Sequence, residues 1–176
     1  YIIKSQEFIF RYINKNDILY TKKIKIKALV DGIQYFSDRY MWNSGGNITQ
    51  SLSNPRQIIV DEFMEGAFKV YTIRLEDISF KGREYEIEVH FKITNSTFRN
   101  HQYLGVTISY PSEQLHLQVD TPSNLTLSHC KYNIYKHSVD RVPEATKKLT
   151  PNNNHIQKTF TILEIGKKYN LEWDIN

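Results

Sequence analysis

Residues 84–93 alternate with a period of two. Tyr85, Ile87, Val89, Phe91 and Ile93 fall on one face, and Glu84, Glu86, Glu88, His90 and Lys92 on the other. Successive side chains of an extended chain point to opposite faces, so this pattern predicts a strand with one dry and one wet side. The same segregation recurs along the chain. Ile24, Ile26, Ala28 and Val30 oppose Lys23, Lys25 and Lys27, and near the end Tyr169, Leu171, Trp173 and Ile175 alternate with Asn170, Glu172 and Asp174. No segment carries a comparable helical period. The abundance of Tyr (12) and Phe (9) suits pleated, half-buried surfaces.

Further strands are predicted over residues 7–13, 33–42, 58–63, 68–75, 104–110, 114–120, 125–135 and 160–165. Asp31-Gly32 between two apolar runs predicts a two-residue hairpin, because such a turn needs positive φ. Residues 111–113 and 166–168 predict two more hairpins. Residues 138–155 lack an apolar period and hold two prolines, Pro143 and Pro151; they read as a long loop with a short helical turn near Glu144 to Lys148. Strands punctuated by turns every 8–12 residues, roughly, predict an all-β fold: an antiparallel β-sandwich of about nine or ten strands in two sheets, with a partly closed β-barrel as alternative. The 176 residues read as one domain with a core large enough to need no staple, and a split near Asn100 is the minor alternative.

The single cysteine, Cys130, excludes an intrachain disulfide and points to a reducing, cytoplasmic setting. No run approaches the roughly 20 apolar residues of a membrane-spanning helix. The chain starts at Tyr1 rather than Met, which reads as a domain taken from a longer protein.

Catalytic and metal signals are poor. His129 adjoins Cys130, but neighbours on a strand face opposite ways, so Cys130 reads as a core residue. His90 and His116 lie in the wet phases of their strands, and no His or Cys pair has metal-ligand spacing. Glu84, Glu86 and Glu88 read as solvated strand residues able to pair with Lys23, Lys25 and Lys27 across strands. No catalytic residue, metal or cofactor is expected. Binding signals are stronger: basic and aromatic residues mix at 8–12 and 35–42, and the second segment runs into the glycine loop at 43–47. Arg39, Tyr40, Trp42, Asn43, Arg11 and Lys25 are the candidate ligand-binding residues.

Arg39-Tyr40-Met41-Trp42, Lys81-Gly82-Arg83-Glu84-Tyr85-Glu86, Leu115-x-Leu117-x-Val119 and residues 166–173 (GKKYNLEW) together resemble β-rich accessory modules at the C-terminal ends of multidomain bacterial signalling and anti-phage defence proteins. The resemblance implies a non-catalytic sensing or docking module whose partners are attached domains or another protein, and it carries no catalytic residue onto this chain. Three other readings stand beside it: a carbohydrate-binding module using exposed Tyr and Trp, Trp42 and Trp173 among them, on an aromatic sheet face; a nucleotide- or nucleic-acid-sensing domain using Arg11, Arg39 and Lys23, Lys25 and Lys27; and, ranked last, a glycosidase or other hydrolase, which needs two carboxyls facing each other across a cleft. The ligand expected is thus a small molecule, a glycan or a nucleotide.

Overall fold

The computed structural model describes residues 1–41, 45–97, 99 and 101–176. Its regular elements are all strands: β1 (Ile2–Tyr12), β2 (Ile18–Lys27), β3 (Tyr35–Tyr40), β4 (Asn47–Leu52), β5 (Ile58–Glu65), β6 (Phe68–Arg74), β7 (Glu84–Thr94), β8 (His101–Thr107), β9 (Leu115–Asp120), β10 (Leu127–Tyr135), β11 (Ala145–Lys148), β12 (His155–Phe160) and β13 (Lys168–Ile175). These 13 strands form three sheets, none closed into a barrel, where the sequence suggested nine or ten strands in two. Among the described residues no helix is long and apolar enough to cross a membrane.

The six-stranded sheet, in the order β12-β9-β1-β2-β7-β4, is the base. Its pairs are antiparallel except β1 with β9, which run parallel with Phe8 opposite Leu117. Register puts the apolar phases of all six strands on one side. One transverse row reads Ile156, Val119, Phe10, Tyr20, Phe91 and Gln50. Two smaller sheets cover that side. The four-stranded sheet, β11-β10-β13-β8, packs Trp173 against Phe10 with ring centroids 5.6 Å apart. The three-stranded sheet, β3-β6-β5, packs Tyr71 against Phe91 at 5.9 Å. Ile24, Ile26, Ile87, Val89, Phe91, Leu117, Val119, Phe160, Leu171 and Trp173 are all buried, as the alternation requires.

The opposite side of the base sheet is wet. Lys23, Lys25 and Lys27 stand opposite Glu88, Glu86 and Glu84, and Lys25 reaches Glu84 at 3.3 Å. These exposed pairs fix register more than they stabilise.

Three expected hairpins do not form. Gly32 has the positive φ (86°) expected, but the chain there leaves β2 of the base sheet and enters β3 of the three-stranded sheet. Residues 108–114 likewise carry the chain from β8 in one sheet to β9 in another, and Gly166 (φ 88°) links β12 to β13 across sheets. A glycine with positive φ permits a change of direction; which sheet receives the chain is set by long-range pairing. The expected helical turn near Glu144 is instead β11, an edge strand paired with β10. β4, which the sequence did not reveal, adds to the other side of β7.

Candidate functional site

On β13 the odd residues enter the core, so Asn170, Glu172 and Asp174 face outward. An outward phase should be wet, yet Glu172 is only 9% exposed, Asn170 3% and Asn133 of the neighbouring β10 2%. Register brings this group together: Asn170 lies between Gly105 and Asn133, and Glu172 between Tyr103 and Lys131. Gly105 makes the arrangement possible. A Cβ there would sit 2.4 Å from Asn170 Oδ1 and 3.2 Å from Lys168 Cε, so both side chains lie against bare backbone.

The acids of this face are firmly held. Asn133 Nδ2 donates to Glu172 Oε1 at 2.6 Å, Tyr135 donates to the same oxygen at 3.3 Å, and Lys131 pairs with Oε2 at 3.1 Å. Burial opposes the charge on Glu172, but these three donors outweigh it and leave its pKa below the usual carboxylate range. Asp174 sits between His101 Nδ1 at 2.8 Å and His129 Nδ1 at 2.9 Å. The His101 hydrogen bond contributes most to holding its pKa down. His129 reaches Asp174 from a bulge in β10, where its φ is 49°; the same bulge turns Cys130 into the core. Carboxylates pinned in this way are poor proton donors at neutral pH.

A cleft of about 430 Å³ opens between the 161–167 connection and the four-stranded sheet, lined by Ile134, Glu144, Ala145, Ile162, Glu164, Lys167 and Tyr169. Ile134 and Tyr169 are neighbours across β10 and β13 and lead into the core. Lys167 spans the mouth, 2.8 Å from Glu164 and 3.0 Å from Glu144. Its hydrogen bond to Glu164, then that to Glu144, drives its pKa upward. Among the described residues no group of three His, Cys, Asp or Glu side chains is arranged to hold a metal ion.

The residues picked from sequence lie apart. Arg39 is on the outer face of the three-stranded sheet, its guanidinium 4.6 Å from the Phe68 ring centroid and 3.4 Å from Glu65. Tyr40, one residue on, points inward and packs on Phe91 at 4.3 Å. Arg11 on β1 and Lys25 on β2 share the wet face of the base sheet but lie toward opposite ends of that strand pair, Arg11 opposite Leu19 and Lys25 opposite Ser5, and they pair with Asp120 and Glu84. Trp42 and Asn43 fall outside the described residues. Trp173 is wholly buried and forms no part of an aromatic platform. The outer-face cluster and the cleft were not anticipated. The available signals were the Asn170, Glu172, Asp174 phase and the lone Gly105 inside a strand pattern, a sign of close backbone approach.

No protein-family model matches this chain, and no curated protein matches it in sequence. The geometry therefore carries the functional reading.

Proposed function

We propose that this chain is a non-catalytic binding module whose ligand enters the cleft between the 161–167 connection and the four-stranded sheet. The observation that carries this is the combination of ligand-sized volume, about 430 Å³, with apolar walls and one ionic latch, Glu144–Lys167–Glu164. Binding sites fall at roughly 300–1,000 Å³ and pair apolar walls with a few placed polar groups. Ile162, strongly exposed at the rim, extends the apolar wall outward. The occupant fits a small molecule with an apolar body, or an apolar side chain of an attached domain or protein partner. That role agrees with the resemblance to accessory modules of bacterial signalling and defence proteins. The buried Trp173 weighs against the sheet-face glycan reading.

The test is an amide NMR titration with cyclohexanol as apolar probe. Saturable shifts at Ile134, Ala145, Ile162 and Tyr169, lost on Ala145→Trp, are expected. Absence of shifts at those amides, or their persistence in a folded Ala145→Trp protein, would count against the reading.

A further inference from the structure

Lys167, the residue before β13, and Lys168, its first residue, take opposite sides. Lys167 latches the cleft, whereas Lys168 lies on the outer face. The Lys168 ammonium is 5.7 Å from the Tyr103 ring centroid and 5.3 Å from that of Tyr135. Among the described residues no carboxylate pairs with it, although Lys131 and Lys167 each hold one at 3.1 Å or less. The charge is thus kept by two aromatic faces alone, the arrangement proteins use to recognise ligand ammonium groups.

The surroundings lack a donor rather than an acceptor. Asn170 is 3% exposed, and its Oδ1 has no hydrogen-bond partner. Its oxygen lies over Gly105, beside the Lys168 stem. A buried carbonyl oxygen left unpaired is costly and uncommon. Tyr135 donates its own proton to Glu172, so its hydroxyl hydrogen is already committed. Two negative ring faces and an unmet acceptor therefore surround one cation that satisfies the rings but not the acceptor.

We propose that Tyr103, Tyr135 and Asn170 form a recognition site for an alkylammonium group bearing N–H, and that Lys168 occupies it as a displaceable internal surrogate. An incoming primary ammonium displaces the Lys168 side chain, stem included, and, being free of the β13 tether, sits deeper between the rings, where it donates one N–H to the Asn170 Oδ1 that the stem had covered. A quaternary ammonium has no proton to donate and leaves that oxygen unpaired. The site lies on a different face from the cleft and does not depend on a ligand binding there.

The experiment uses Lys168→Met, which keeps the stem and removes the charge. n-Butylammonium is titrated while the Gly105 backbone amide and Asn170 side-chain amide are followed by NMR. Saturable shifts are expected in Lys168→Met, with affinity about tenfold above wild type and about tenfold above that for tetramethylammonium, and they should vanish on adding Tyr103→Leu. Nα-acetyl-lysine methylamide, titrated in parallel, separates a peptide lysine from a free amine as the source, by which of the two binds more tightly. No saturable shift in folded Lys168→Met overturns the proposal. Equal affinity for the two ammonium probes overturns the role of Asn170, and equal affinity of wild type and variant overturns that of Lys168. Should Lys168→Met not fold, the wild type decides. Saturating n-butylammonium must then erase the ring-current shift of the Lys168 methylene protons, and an unchanged shift overturns the proposal.

Discussion

Lys22 of β2 reaches across the layer to Asp38 of β3, Nζ to Oδ2 2.8 Å, with the lysine side chain only 6% exposed. Lys22 stands in the dry phase of its strand, between Tyr20 and Ile24. It is satisfied there by the carboxylate, by the Arg39 carbonyl at 2.6 Å and by the Phe8 ring face at 5.4 Å. Tyr71 donates to the same carboxylate oxygen at 2.6 Å. The pair ties the three-stranded sheet to the base.

Removing one partner leaves the other charge stranded. Asp38→Ala should destabilise by about 3 kcal/mol, and the double change Lys22→Met with Asp38→Leu should cost less than Asp38→Ala alone. Urea unfolding of the variants checks both. A loss under about 1 kcal/mol for Asp38→Ala would mean that the pair is solvated.

Phe91 and Trp173 anchor the two cores. Phe91 meets Tyr40, Tyr20 and Tyr71, and Trp173 meets Phe10. Truncating either to Ala should cost about 3–5 kcal/mol in equilibrium unfolding. Losses below about 1 kcal/mol at both would disprove the strand phases described here.

Gly105→Ala places a methyl group against the Asn170 amide oxygen. The variant should lose about 1–3 kcal/mol, and Asn170→Ala should recover part of that loss when combined with it. A thermodynamic cycle over the four proteins measures the coupling. Strict additivity would show that the two residues do not touch.

Acid should unfold the protein through identified carboxylates. Asp174 is held down first by its His101 bond, and Glu172 by donors that outweigh its burial. In Asp120 the bonds from His155 and Gln118 outweigh burial in the same way. Folded pKa values below the unfolded ones mean that the unfolded chain takes up protons first as pH falls. Their stabilisation is complete above the unfolded values, about 4, and is lost as pH drops through the folded ones. Stability measured from pH 7 to 3 should fall at the acid end, with a shallower slope in Asp174→Asn. Identical slopes would remove Asp174 from the account.

Cys130 should be silent to thiol reagents until the fold opens. Burial, with a smaller contribution from Asp174, pushes its pKa up to about 11. Labelling at neutral pH should speed up in Phe91→Ala in proportion to its lost stability. Reaction at the rate of an exposed cysteine in native buffer would contradict its placement.

Alternation made the apolar phases of β7, β9 and β13 readable, because a strand with one dry side records its burial residue by residue. Strands without a dry side left no such record. Every residue of β11 is exposed, and of the three inner residues of β4, Ile48, Gln50 and Leu52, the central one is polar and stands beside Phe91. Turn chemistry was readable at Gly32 and Gly166, but not the destination of the chain beyond them. The outer-face site was hidden for the same reason: Tyr103, Gly105, Asn133, Tyr135 and Asn170 come from three strands distant in sequence.

Sequence alone settled the apolar phases of the strongly alternating strands and that strands would arrange them, since that choice is local and repeats every second residue. Only the tertiary structure decided the layering of two small sheets on one large one, the parallel meeting of β1 with β9, and the crowding of buried polar groups over Gly105. Those outcomes depend on which strand lies beside which, and pairing between distant segments is selected by the packing of the whole core rather than by any segment's own pattern.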